Sequence, residues 1–163
     1  VAADLTTFVE GRQLDDDASI MIRMSENVKG NLSISQIATG QENNFTISIY
    51  GEKGALHWAQ ENPNYARFSR VGKADQIITR GGAIQNENSY APIRIPPGHP
   101  EGYLEGFAQI YSDAADIILN HKNKNELLEL LPGGISGLQI MKFINASVNS
   151  SNNNSIWTDL SSI

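Results

Sequence analysis

The chain has 163 residues, with 12 Lys and Arg against 18 Asp and Glu, a formal charge of −6, three histidines and no cysteine. This length fits one domain that buries roughly 70% of its unfolded surface, and the missing cysteines exclude disulfides, thiolate metal sites and thiol nucleophiles, as fits a reducing compartment. The scattered basic residues exclude a polyanionic partner such as nucleic acid, His57, His99 and His121 share no metal-site spacing, and no apolar run approaches the ~20 residues of a membrane span, which reads as a soluble, cytoplasmic protein.

The segment from Ala3 to Val9 is rich in β-branched and aromatic residues and is followed by Gly11, which predicts a first strand and a turn. The chain enters on this strand at once, without a leader, as a piece of a longer polypeptide would. Asp15-Asp16-Asp17 reads as a solvated acidic loop rather than a metal site. After it Ile20, Ile22 and Met24 alternate with Ser19, Met21 and Arg23, the pattern of a half-buried strand. A turn at Glu26 to Gly30 leads to a second alternating run from Asn31 to Thr39, with Leu32 and Ile34 opposed to Ser33 and Ser35. Phe45, Ile47 and Ile49 against Thr46, Ser48 and Tyr50 form the clearest alternation in the chain. Gly51-Glu52-Lys53-Gly54 then turns into a strand at Ala55 to Ala59, and shorter strands follow at Tyr65 to Arg70 and Gln76 to Thr79.

Strands joined by short turns pair antiparallel, and the helical patterns come only after them. The expected fold is therefore α+β: a mainly antiparallel open sheet with helices packed on one face. The other face would carry Met21, Arg23, Ser33, Ser35, Thr46, Ser48, Tyr50 and His57. Such a mixed, weakly charged surface suits packing against a second copy, so homo-oligomerisation through the open sheet face is expected.

A polar loop of about a dozen residues runs from Gly81 to Pro92 and enters Arg94-Ile95-Pro96-Pro97-Gly98-His99-Pro100-Glu101-Gly102-Tyr103, where sheet-like sequence gives way to helix. Three prolines and two glycines in these ten residues bar any regular element. Tyr103, Phe107, Ile110, Tyr111, Ala114, Ile117 and Ile118 then recur at helical spacing. Pro100 suits the first helical position, Glu101 and Glu105 suit its first turns, and His99 falls at or just before the N-cap. A polar side chain on a rigid turn beside a helix start is a candidate for holding an oxygen-rich ligand. The first helix is expected from about Pro100 to Leu119, and a second opens at Pro132-Gly133-Gly134 with Ile135, Leu138, Met141, Ile144, Asn145 and Val148 inward. Asn149 to Ser155 ends it, and Ile156 to Leu160 reads as a short closing strand.

The residues contain no Gly-rich phosphate loop, no nucleophile elbow and no basic patch with interleaved aromatics. Four stretches carry a family likeness instead. They are Ala3 to Arg12, Ile49 to Trp58, Ile95 to Tyr103, and the ending from Ser150-Ser151 to Trp157-Thr158-Asp159-Leu160. Together, and in this order, they resemble the C-terminal domain of the Gfo/Idh/MocA oxidoreductases, in particular a sugar or polyol dehydrogenase branch with an Ile-Pro-Pro-Gly-His-Pro-Glu-Gly-Tyr turn.

The resemblance implies that residues 1–163 are a single C-terminal substrate-binding and oligomerisation domain, whose N-terminal Rossmann domain is absent from this chain. The parent would be a dehydrogenase using NAD or NADP on a sugar, polyol or related hydroxyl compound. No cofactor is expected for this chain alone, which should be inactive, since the family's Gly-rich fingerprint, Glu-Lys-Pro lysine and Asp-x-x-x-His pair lie upstream. His99 would contact substrate hydroxyls, or else be a histidine bonded into a structural turn. Arg94 and Tyr103 come next, Tyr103 reading rather as core because it starts the apolar helix stripe, while Gln41, Glu42 and Asn43 would reach the pocket from their loop or form a plain polar turn. His57 belongs to the open sheet face. The competing reading is a non-catalytic ligand-binding or assembly module.

Overall fold

The structure, a computed structural model, describes residues 1–82, 93, 95–119, 128 and 131–162. Strands β1 (Ala2–Thr6), β2 (Asp17–Arg23) and β3 (Lys29–Ser35) form a three-stranded antiparallel sheet in chain order. Strands β4 (Thr46–Gly51), β5 (Gly54–Ala59), β6 (Tyr65–Arg70) and β7 (Gln76–Thr79) form a second, four-stranded one. Among the described residues two long helices follow, α1 (Tyr103–Ile118) and α2 (Gly134–Asn152). The fold is α+β with antiparallel pairing, as the alternation predicts, but the strands are divided between two sheets. The Gln36 N–H bonds the Asp16 carbonyl at 2.8 Å, and backbone at positive φ follows at Gly40 (90°) and Asn44 (44°), so the chain turns away after β3 instead of adding a fourth strand to it. Two compact units result, residues 1–40 with 128–163 and residues 41–127. The residues expected to share one polar face from Met21 to His57 are accordingly divided between the two sheets.

In the first unit the register places Ala3 opposite Ile20 and Ile20 opposite Leu32, with Leu5, Ala18 and Ile34 aligned beside them. One face of the sheet is thus apolar, and its core is Val1, Ala3, Ala18, Ile20 and Ala146, joined by Leu5, Ile22, Leu32, Phe143 and Leu160. Helix α2 meets this face with its small residues. Ala146, Ser147 and Ser150 are buried, whereas Ile135, Leu138, Met141, Ile144 and Val148, the stripe expected inward, are exposed. The reason lies at the free edge of β1. The Ser150 hydroxyl accepts the Ala3 N–H at 2.9 Å and donates to the Ile156 carbonyl at 2.6 Å, and the Ser151 hydroxyl accepts the Leu5 N–H at 3.0 Å. Serine and alanine let the helix approach closely enough for these bonds to form, and buried backbone donors must be satisfied somewhere.

The closing strand expected over Ile156 to Leu160 is not formed. A single pair of hydrogen bonds, each 2.8 Å, joins Val1 and Thr158, Trp157 lies under the Arg23 guanidinium at 3.8 Å, and Leu160–Ser162 is a short 3-10 turn. One bonded pair docks the segment without making a ladder. The acidic run is also corrected at one position: Asp16 is buried and serves as the acceptor of the β1–β2 connection. Its carboxylate accepts the N–H groups of Phe8 at 2.8 Å and Val9 at 3.0 Å, and Arg12 at 3.1 Å.

In the second unit the strands fall where the alternation places them, but their apolar face is open. Ile47 pairs with Trp58 and Ile49 with Leu56 on one face, yet Phe45, Ile47, Ile49 and Leu56 are all exposed. Glu52 and Lys53 alone link β4 to β5, with Gly51 opposite Gly54. Gly54 also pairs with Arg70, and a methyl group on it would collide with the backbone carbonyl of Ser69. Gly54→Ala is expected to destabilise the chain by about 1 to 2 kcal/mol, read as a lower thermal midpoint, and an unchanged midpoint would refute this packing.

Candidate functional site

The proline-rich turn is built as its residue types dictate. The His99 N–H bonds the Pro96 carbonyl at 3.2 Å, and Gly98 between them has φ +85°. Proline at the second position and glycine at the third are the requirements of a type II turn, because only glycine takes positive φ there without strain. The turn does not run straight into the helix. α1 begins at Tyr103 with Gly102 as its N-cap, and the Gly102 N–H bonds the Glu105 carboxylate at 2.9 Å. Pro100 and Glu101 lie outside the helix, and His99 lies three residues before the cap, away from the free N–H groups expected beside it.

Glu101 is outside because it has other partners. Its carboxylate accepts the Ile95 N–H at 2.8 Å and stands 3.2 Å from an Arg80 nitrogen, closing the turn on itself. Asn64, just before β6, binds the backbone of Glu101 twice, donating to its carbonyl at 2.8 Å and accepting its N–H at 3.0 Å. Arg80, just after β7, completes the clasp. Its guanidinium donates to Asn64 Oδ1 at 2.8 Å, to the Ile95 carbonyl at 3.2 Å and to the His99 carbonyl. Asn64 and Arg80 are neighbours because the β6–β7 ladder extends one step past Tyr65 and Thr79, with the Arg80 N–H on the Asn64 carbonyl at 2.9 Å. Side-chain exposure of the Arg80–Glu101 pair is only 17% and 11%, so loss of either partner leaves a largely desolvated charge.

The His99 imidazole, by contrast, is exposed and makes no hydrogen bond with the described residues. Of the other expected site residues, Arg94 lies outside the described residues. Tyr103 is exposed rather than core, with its ring 4.7 Å from that of Phe107. Asn43 donates to Gln60, and Gln41 accepts from Asn44 at 2.6 Å, so both amides are engaged in the loop before β4. No hydrogen bond among the described residues ties them to the His99 turn. His57 sits on β5 with its Nδ1 2.9 Å from the Ser48 hydroxyl. Arg80 and Asn64 escaped the sequence reading, being a lone arginine before two glycines and an asparagine after a proline.

A cavity of about 270 Å³ in the first unit is lined by Leu5, Ala18, Ile20, Ile34, Phe143 and Ile144 and edged by Asp15 to Asp17. That lining is mainly apolar, where a hydroxyl-rich ligand needs converging donors and acceptors. Among the described residues no group of three or more His, Asp or Glu side chains is placed to hold a metal ion, and no helix is long and apolar enough to cross a membrane.

Residues 1–57 match the family described as GFO/IDH/MocA C-terminal domain. A solved oxidoreductase from Sinorhizobium meliloti is 42% identical over 97% of this chain, with a TM-score of 0.86. Over its first 57 residues the chain is similar to the Gfo/Idh/MocA C-terminal-domain family. An uncharacterized oxidoreductase of Bacillus subtilis is 29% identical over 96% of the chain. An inositol dehydrogenase homolog of Azotobacter vinelandii, solved with NADH and myo-inositol, shares the Gfo/Idh/MocA fold at a TM-score of 0.86 and 23% identity over 97% of the chain, covering 43% of its own length. The chain spans less than half the length of these relatives, 41% of the Bacillus protein and 45% of the Sinorhizobium one.

Proposed function

We propose that residues 1–163 form the C-terminal domain of an NAD(P)-dependent dehydrogenase acting on a sugar, polyol or related hydroxyl compound, and that this domain supplies one wall of the substrate pocket and a subunit interface. The observation that carries the reading is His99: an exposed imidazole without a partner among the described residues, on a turn whose backbone is bonded on both sides. An imidazole donates and accepts at its two nitrogens, so it suits a hydroxyl that must be oriented in either sense. The relatives support the chemistry, since they are oxidoreductases and one was solved with NADH and a cyclic polyol.

The dinucleotide does not fit these residues. No Gly-x-Gly-x-x-Gly run follows a strand anywhere in the chain, and the proposal assigns the cofactor to an N-terminal Rossmann domain of the longer polypeptide. The part left to this chain is binding and orientation of the substrate, which in such enzymes places the reacting carbon against the nicotinamide. Leu104, Tyr111 and Ile118 on α1 and Ile49 and Tyr50 on β4 are all exposed, the surface expected of a domain that is covered by other parts of an assembled enzyme. The second sheet is the proposed interface between subunits, and a monomer in light scattering of the full-length protein would remove that part of the proposal.

The test is His99→Ala in the full-length polypeptide, assayed by NAD+ and NADP+ reduction over a panel of cyclic polyols and aldoses. Loss of one hydrogen bond to substrate predicts a fall in kcat/KM of about tenfold with the thermal midpoint nearly unchanged. Unchanged kinetics would remove His99 from the pocket, and unfolding would make it a structural residue. A full-length protein that reduces neither cofactor with any of these compounds would favour a non-catalytic binding module.

A further inference from the structure

We infer that Arg80, Asn64 and Glu101 are positioning residues for the substrate, acting through His99. This rests on the reading of His99 as a substrate contact and adds three residues to it that touch no substrate themselves. Across Ile95 to Glu101, the Ile95 N–H is held by the Glu101 carboxylate and its carbonyl by Arg80; the His99 N–H is held by Pro96 and its carbonyl by Arg80; the Glu101 N–H and carbonyl are both held by Asn64. The backbone is therefore fixed before, at and after His99, while the imidazole is left open to solvent.

A turn fixed in this manner has already lost the conformational freedom that binding would otherwise remove, so its exposed side chain meets the ligand in one geometry. The Arg80 fork is central. It reaches Asn64, Ile95, His99 and Glu101 at once, which a planar guanidinium with five donors can do and a single ammonium cannot. Both anchors stand at the end of the β6–β7 ladder, so the position of His99 is referred to a sheet rather than to a loop.

The test is a double-mutant cycle in the full-length enzyme with the best substrate of the polyol and aldose panel. Arg80→Lys keeps a positive charge beside Glu101 and loses the fork. It should lower kcat/KM about fivefold, against about tenfold for His99→Ala. The double variant should be no worse than His99→Ala alone, because a displaced turn has no imidazole left to misplace. Independent effects would multiply to about fiftyfold, and that result overturns the inference, as does an Arg80→Lys enzyme with unchanged kcat/KM. A His99→Ala enzyme with full activity removes the pocket reading itself, and absence of turnover with every compound removes the dehydrogenase reading; the inference falls with either. Should Arg80→Lys not fold, Asn64→Asp repeats the cycle, since it keeps the Oδ1 acceptor for Arg80 and sets a carboxylate oxygen against the Glu101 carbonyl where the amide donated.

Discussion

Ser150→Ala is expected to cost about 3 kcal/mol, at the upper end of what one unsatisfied buried group costs, although it removes a single oxygen atom. Ser150 is completely buried, and its hydroxyl is both the acceptor for the Ala3 N–H and a donor to the Ile156 carbonyl. Ala3 is itself only 1% exposed, so the orphaned N–H has no route to water. The neighbouring hydroxyl of Ser151 already serves Leu5 and is not free to compensate. With a midpoint shift of about 2 to 4 °C per kcal/mol at this size, the thermal midpoint should fall by about 6 to 12 °C. Ser151→Ala, at a partly buried site, should cost less. If Ser150→Ala melts with the parent, the docking of α2 on the edge of β1 is not what holds this edge.

That docking shows what the alternation in the sequence conveys and what it does not. Strand positions in the second unit were legible because period two is a local signal: Tyr65–Arg70 and Gln76–Thr79 lie where their side chains place them. The covered face of α2 was not. A hydrophobicity pattern weights Ile135, Leu138 and Met141, whereas the contact is made by Ala146, Ser147 and Ser150, small residues chosen by how near a backbone must come. The same limit applies to Asp16. Three consecutive carboxylates look solvated, and only the path of the chain from Thr6 back to Asp17 shows that the middle one collects two backbone donors.

The candidate site divides in the same way. Pro97 and Gly98 specify their turn by conformational preference alone, so the loop carrying His99 could be located from the residues. The helix start was misplaced by three residues because Pro100 and Glu101 fit a helix N-terminus equally well in isolation. Glu101 is drawn off by Arg80 and by Asn64, the latter 37 positions away in the chain. Such partners come together only through the β6–β7 ladder, and no local pattern marks a lone Arg80 as the residue that closes it. Family likeness supplied the expectation of a pocket; the clasp that holds the His99 turn is a property of the tertiary structure.

Asp16→Asn should destabilise the chain at neutral pH by an amount that shrinks in acid. The N–H of Phe8 is the largest influence holding the Asp16 carboxyl below its ordinary value of 3.8; burial opposes it, and the Val9 N–H and the Arg12 guanidinium reinforce it. A carboxyl whose folded pKa is depressed binds its proton more weakly in the folded chain than in the unfolded one. Its stabilising contribution is therefore complete above 3.8 and is lost as pH falls through the lower, folded value. Asparagine keeps the shape and one acceptor oxygen but never carries the charge, and its amide group points two donors towards sites already occupied by N–H groups. Thermal midpoints of parent and variant, measured in parallel from pH 7 downwards, should differ most at neutral pH and converge below pH 3.8. A gap that stays constant over this range would mean that the charge of Asp16 contributes nothing and that only its shape holds the β1–β2 connection.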